Sequence, residues 1–204
     1  TIIRCVKVID NRIYTGCYME FGFWSRQSNG TLKYTSLSSA IKNKILNDEH
    51  FWNILHYDQW VIFQSLNRIY IYDTKARTFK IIAPGSSITK SYQTSNSIYF
   101  QTVNEGLFEL QSGKAHLVSN NPILRNNRII NVFSTAEGLI IQTQLNGYYK
   151  LIGTTVSKFA TEADSKIETS SVYSSLILSD GSFAVGTVSN GVFILTKEGK
   201  LKFH

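Results

Sequence analysis

The stretch Gln101–Phe108 reads QTVNEGLF, and the same pattern recurs as QTQLNGYY at 142–149 and as GTVSNGVF at 186–193. In all three copies a Thr lies four residues before a Gly, and two apolar residues follow that Gly. The glycines of successive copies lie 41 and 44 residues apart. Divergent copies at 16–24 and 64–70 complete five units, so the chain is built from a tandem repeat.

Each unit has the same internal order of short apolar segments and turns. In the last unit, four extended segments are separated by turns that contain Gly, among them Asp180-Gly181, a strong two-residue hairpin signal. The segments are Ser175–Ser179, Phe183–Thr187, Val192–Leu195 and Leu201–Phe203. Four short strands in every unit of about 40–45 residues are typical of a β-propeller.

The repeat therefore predicts an all-β fold, a β-propeller of about five four-stranded antiparallel blades. The expected blades are 1–47, 48–87, 88–127, 128–170 and 171–204. Five blades can close a ring, or they can form an arc of a larger ring. A β-sandwich needs no four-strand period, and a β-helix usually repeats at a shorter one. The only expected helix is Ser38–Asp48, in the first connection between blades.

The composition is that of a globular protein. Of the 204 residues, 43% are hydrophobic and 17% are charged, which excludes disorder, and no apolar run reaches the roughly 18–20 residues of a membrane span. Because residue 1 is Thr and not Met, we expect a piece of a longer protein. The net charge of +7 is scattered along the chain, so we expect no direct contact with nucleic acid.

The two cysteines leave two alternatives open. Cys5 and Cys17 flank the turn Asp10-Asn11-Arg12. A three-residue turn would place them opposite one another, which permits a disulfide, whereas a two-residue turn would offset them by one residue and leave free thiols. The four histidines are far apart and no Cys-x-x-Cys motif occurs, so we expect neither a metal nor a cofactor.

No motif for catalysis is present. The chain has no phosphate loop, no dinucleotide fingerprint and no Gly-x-Ser-x-Gly elbow, and several of its 14 acidic residues sit in expected turns. We therefore expect a binding module and not an enzyme. Candidate ligand contacts lie in the loops between the second and third strands, which a propeller gathers on one face. They are Tyr18, Glu20, Phe21, Asn67, Arg68, Asn104, Glu105, Asn146 and Asn190.

The repeat resembles a known family. The run from Leu178 to Val192, with Asp180-Gly181, then Gly186-Thr187, then Gly191 before an apolar residue, resembles the two-component regulator propeller repeat. The run from Gly22 to Leu37 is similar to blades of Bacteroidetes hybrid two-component and triple-tyrosine regulators. The resemblance implies a periplasmic sensor propeller in a membrane-anchored protein with a cytoplasmic output domain.

Two function hypotheses follow. The first is a ligand-sensing module of a signalling or transcription regulator that recognises a small molecule such as a glycan fragment. The second is a propeller that scaffolds protein partners without a small ligand. In both, we expect this chain to contact the remaining blades and domains of its parent, and a homodimer is a further option.

Overall fold

The computed structural model describes residues 2–204 and contains five four-stranded antiparallel sheets, so the predicted propeller architecture is confirmed. Blade 1 contains β1 (Cys5–Ile9), β2 (Arg12–Gly16), β3 (Phe21–Arg26) and β4 (Leu32–Ser36), and blade 2 contains β5 (Asn53–Tyr57), β6 (Trp60–Gln64), β7 (Ile69–Asp73) and β8 (Thr78–Ile82). Blade 3 contains β9 (Ile88–Gln93), β10 (Ile98–Thr102), β11 (Gly106–Gln111) and β12 (Lys114–Ser119). Blade 4 contains β13 (Ile129–Ser134), β14 (Leu139–Thr143), β15 (Tyr148–Ile152) and β16 (Thr155–Phe159), and blade 5 contains β17 (Val172–Ile177), β18 (Phe183–Thr187), β19 (Val192–Leu195) and β20 (Leu201–Phe203).

The core consists of four apolar clusters, one between each pair of successive blades. The first strands of the blades contact one another in the order β1, β5, β9, β13, β17. Between blades 1 and 2, for example, Phe21 stacks on Phe63 with ring centroids 4.3 Å apart. A lone four-stranded sheet cannot cover its own faces, and stacking the blades buries them.

The connections between blades carry three short helices. The expected helix at Ser38–Asp48 is a 3₁₀ helix at Ser38–Lys44. Two helices, α1 (Pro122–Asn126) and α2 (Asp164–Ile167), were not expected from the sequence. In α1, the Asn121 side chain caps the helix by accepting a hydrogen bond of 3.0 Å from the Ile123 N–H, and Pro122 suits the first turn because its missing N–H has no role there.

Of the two alternatives for the cysteines, the structure has the second, in which Cys5 and Cys17 are free thiols. The strands β1 and β2 join through the two-residue turn Asp10-Asn11, in which Asp10 takes a φ of 52°. This turn pairs Cys5 with Gly16. Because side chains alternate across a strand, a one-residue offset turns the two cysteines away from one another.

Each end blade leaves one sheet face open to solvent. On blade 1 the open face carries Val6, Val8 and Trp24, and Val8 is 67% exposed. On blade 5 the open face carries Leu176 and Val192, and Leu176 is 52% exposed. The stack of blades therefore ends on apolar surface at both sides. Among residues 2–204, no helix has the length and apolar character needed to span a lipid bilayer.

Candidate functional site

The loops between second and third strands lie on one face of the molecule, together with the connections between blades. We call this the loop face. The loop after β2 pairs with the first connection, because Tyr18 and His50 form an antiparallel bridge. The same arrangement recurs where Val103 donates its N–H to Ser87 O at 2.8 Å and where Val188 donates to Ser171 O at 3.1 Å. Hydrogen bonds between loops thus fix the surface that a ligand would meet.

Three of the candidate residues come from the first of these loops, and the structure gives them different roles. Tyr18 is 47% exposed on the loop face. Glu20 accepts hydrogen bonds from Tyr34 Oη at 2.7 Å and Ser38 Oγ at 2.6 Å, so its carboxylate holds the 3₁₀ helix against blade 1. Phe21 is fully buried in the first core cluster and presents no surface to a ligand, contrary to expectation.

The candidates in blades 2 and 3 mostly close their own turns. The backbone N–H groups of Asn67 and Arg68 donate to Ser65 Oγ, and the Arg68 guanidinium donates to Lys44 O. Asn104 takes a left-handed φ of 62°, and Glu105 accepts a hydrogen bond of 2.8 Å from Thr102 Oγ1. Turn formation accounts for each of these residues without a ligand.

The asparagines of blades 4 and 5 also contact the neighbouring connections. Asn146 donates through its side chain to Asn127 Oδ1, and its carbonyl oxygen accepts from Lys158 Nζ at 2.6 Å. Asn190 Nδ2 donates to Ser170 Oγ at 2.5 Å. These side chains tie each loop to the connection that precedes its own blade. Among the candidates, Tyr18 is the one with an exposed aromatic ring.

Around Tyr18 the structure assembles a cluster that was not expected from the sequence. We call Arg4, Tyr18, His50 and Trp52 the aromatic cluster. The ring centroids of Tyr18 and His50 are 5.0 Å apart, and those of His50 and Trp52 are 5.8 Å apart. The Arg4 Cζ lies 4.4 Å from the centroid of the Trp52 ring, and Arg4 Nε donates to His50 Nδ1 at 2.9 Å. No motif connects these residues, because they come from segments up to 48 residues apart.

Backbone hydrogen bonds fix all four positions of the aromatic cluster. The Arg4 N–H donates to Gly16 O at 2.9 Å, and the Trp52 N–H donates to Gln64 O at 2.8 Å. Two further bonds flank the Tyr18–His50 bridge, from Met19 N to Glu49 O at 2.7 Å and from Phe51 N to Cys17 O at 3.1 Å. The cluster is therefore held by the sheet of blade 1 and the start of blade 2.

The buried carboxylate of Glu49 stabilises the chain segment that carries His50 and Trp52. Glu49 is almost fully buried, and it accepts hydrogen bonds from Ser65 Oγ at 2.5 Å, Tyr70 Oη at 2.6 Å and the Leu46 N–H at 3.0 Å. Burial and the hydrogen bond to Glu49 raise the pKa of Tyr70 above its usual value, so Tyr70 stays protonated and donates. The charge of Glu49 is thus satisfied inside the protein.

A concave surface lies elsewhere on the loop face, next to blades 2, 3 and 4. This cleft has a volume of about 390 Å³. Leu66, Asn104, Arg125 and Arg128 line it. It is positively charged but has no aromatic ring to receive an apolar ligand face. Within residues 2–204, no group of three or more His, Cys, Asp or Glu side chains is arranged to hold a metal ion.

Comparison with known proteins gives the fold. No protein-family model matches the chain, and no curated protein matches it. The extracellular domain of BT3049, assigned to a hybrid two-component system of B. thetaiotaomicron, superposes with a TM-score of 0.66 at 14% identity over 95% of this chain and 26% of that one. The corresponding domain of BT4673 gives 0.65 at 18% identity over 100% and 28%. The WD40 β-propeller domain of Doa1 gives 0.61 at 13% identity over 98% and 81%.

These similarities support a propeller fold, and they include extracellular domains of two-component systems. The chain spans about a quarter of the length of the two B. thetaiotaomicron domains.

Proposed function

We propose that this chain is a ligand-sensing part of the propeller of a membrane-anchored two-component regulator, and that it recognises a small molecule such as a glycan fragment. The observation that carries the proposal is the aromatic cluster, in which backbone bonds of the loop face hold two half-exposed rings beside a guanidinium. Flat apolar rings flanked by a few fixed polar groups suit the mixed faces of a sugar.

The proposed location is periplasmic, outside the cytoplasmic membrane. The similarity in fold to the extracellular domains of BT3049 and BT4673 supports this location. The resemblance of the repeat to regulator propellers supports it as well. The output domain, and the transmission of the signal to it, belong to other parts of the parent protein.

We also propose that further blades cover the open face of blade 1. Three exposed or partly exposed residues on that face have counterparts at the same register positions in blade 2 that are buried against blade 1. The pairs are Val6 with Ile54, Ile13 with Val61 and Trp24 with Tyr72. The open face is therefore built like a blade–blade interface, and another four-stranded sheet suits it.

The open face of blade 5 supports the same proposal. Its residues take the positions that blade 4 buries against blade 5. The pairs are Leu176 with Phe133, Ala184 with Ile140 and Val192 with Tyr148. An arc of five blades within a longer ring accounts for apolar surface at both ends of the stack.

The test of ligand sensing is a thermal-shift screen of the chain against oligosaccharides. A sugar that binds the folded state raises Tm with concentration, because only the native chain binds it. A concentration-dependent rise that the Trp52→Ala variant lacks supports the proposal. A stable complex with a protein partner and no response to any sugar favours the scaffold function instead, and turnover of a polysaccharide would contradict both.

A further inference from the structure

We propose that the aromatic cluster binds a carboxylate-bearing sugar, with Arg4 as the group that recognises the carboxylate. This inference rests on the proposed function, since it names the class of ligand for the same surface. It follows from how Arg4 is held, which groups of Arg4 stay available, and which rings stand beside it.

The Arg4 guanidinium is held in place at one edge and across one face. Its Nε donates to His50 Nδ1, and its plane lies over the ring of Trp52. Neither contact uses the two terminal Nη groups, which make no hydrogen bond to any residue in the described range 2–204. These groups form a fork that matches the two oxygens of a carboxylate. Arg4 is therefore oriented before a ligand arrives, which lowers the entropic cost of binding.

The neighbouring rings supply the surface for the sugar itself. Tyr18 and Trp52 are 47% and 45% exposed, whereas most aromatic side chains of the first core cluster are buried. His50 lies between the two rings, and its Nε2 is 3.9 Å from the exposed carboxylate of Asp48. Nδ1 of His50 accepts from Arg4, so Nε2 is the ring nitrogen that faces this acid. Asp48 forms no ion pair with Arg4 in the described part of the chain, so the Nη groups of Arg4 stay free.

The electrostatics favour an acidic ligand over a neutral one. The chain carries a net charge of +7, and the buried acid nearest the cluster, Glu49, is already satisfied by three donors. The electrostatic potential of a positively charged protein attracts anions to its surface. A hydrogen bond from a charged donor to a carboxylate is stronger than one to a sugar hydroxyl.

The experiment is isothermal titration calorimetry of the chain with glucuronic acid, with glucose as the neutral analogue and inorganic phosphate as the anion without a ring. Glucuronic acid is expected to bind at least tenfold more tightly than either. Arg4→Gln is expected to remove at least tenfold of the affinity for glucuronic acid and with it the preference for glucuronic acid over glucose. Arg12→Gln is the matched control, because Arg12 Cζ also lies over a ring, 4.3 Å from the Phe23 centroid. Arg12 is, however, at the other end of the strands of blade 1, beside the turn Asp10-Asn11.

Each contrary outcome has a distinct meaning. Equal affinity for glucose and glucuronic acid overturns the assignment to acidic sugars and leaves a glycan-binding function intact. Equal affinity for phosphate and glucuronic acid overturns the role of the two rings. If glucuronic acid does not bind while neutral oligosaccharides raise Tm, the acidic ligand is wrong, and if no sugar of either kind binds, the proposed sensing function fails with it.

Discussion

The backbone N–H of Ile129 donates a hydrogen bond of 2.9 Å to the side-chain oxygen of Gln101, which ties the first strand of blade 4 to the second strand of blade 3. Gln64 makes the same link one blade earlier, accepting from the Ser91 N–H at 3.0 Å. Gln64 and Gln101 are therefore connectors between blades. Gln101 uses its full capacity, because its Nε2 also donates to Leu124 O at 2.8 Å and Asn127 O at 2.7 Å.

Replacing Gln101 is expected to destabilise the protein strongly. Gln101→Leu removes these bonds and leaves buried backbone groups without partners, at a cost of about 3 kcal/mol or more in the free energy of unfolding. Gln142 is the matched control, since it is buried at the same register position but its Nε2 and Oε1 have no partner within residues 2–204. Gln142→Leu is expected to stay within about 1 kcal/mol of the parent or to stabilise it. Urea unfolding of both variants makes the comparison, and equal losses would refute the connector role.

The bond from Tyr70 to Glu49 gives a second prediction for stability. Tyr70→Phe removes one donor from a buried carboxylate and should lower the free energy of unfolding by about 2 kcal/mol. Tyr72→Phe, on the same strand, removes a hydroxyl that makes no hydrogen bond to the described residues and should cost less than about 0.5 kcal/mol. Thermal unfolding of the two variants separates them. Similar Tm values would show that Glu49 does not depend on the Tyr70 hydroxyl.

Buried tyrosines predict a loss of stability at alkaline pH. Burial raises the pKa of Tyr92 and of Tyr148 well above the usual value of 10.0. Their contribution to stability is complete below pH 10 and is lost as the pH rises toward the raised pKa, because only the unfolded chain releases the protons in that window. For each group the free energy of unfolding should fall by about 1.4 kcal/mol per pH unit above pH 10.

Tyr148→Phe is the variant that checks this dependence. The Tyr148 hydroxyl is buried without a partner in the described chain, so its removal should not destabilise the protein at pH 7. It should make the decline above pH 10 shallower in urea unfolding measured across that range. An unchanged slope would mean that Tyr148 titrates normally in the folded protein.

The cysteines should be present as unreactive thiols. Desolvation raises the pKa of Cys5 to about 12, and Cys5 Sγ donates to Phe51 O at 3.3 Å. Since the thiolate is the reactive form, alkylation of the native protein at pH 8 should be slow, and it should be fast in guanidinium chloride. The intact mass should not change on reduction. A mass lower by two hydrogens before reduction would show that a disulfide forms after all.

The repeat predicted the architecture because a propeller blade is determined by features of neighbouring residues in the sequence. Gly-containing turns at regular intervals and short β-branched segments determine a four-strand unit, and burial of sheet faces determines the stacking. The length of the turn between β1 and β2 could not be predicted, because Asp10-Asn11-Arg12 permits a turn of two residues or of three. A change of one residue in the turn reverses the sheet face that each cysteine occupies.

The candidate site was less predictable than the fold. Tyr18 lies in the loop and Phe21 at the first position of β3, only three residues later, and packing against Phe51 and Phe63 of blade 2 accounts for the burial of Phe21. Arg4 and Trp52 became visible as a site only when the structure brought the start of blade 1 beside the start of blade 2. Contacts between distant segments leave no local pattern in a single sequence.

The measurement that tests the account most directly is a structure of the complete parent protein that contains this chain. We expect one further four-stranded sheet packed on the blade 1 face around Val6 and Trp24, and another on the blade 5 face around Leu176 and Val192, with all four side chains buried. Solvent on either face, or direct packing of β1 against β17 in a closed five-blade ring, would contradict the assignment of this chain to an arc of a larger propeller.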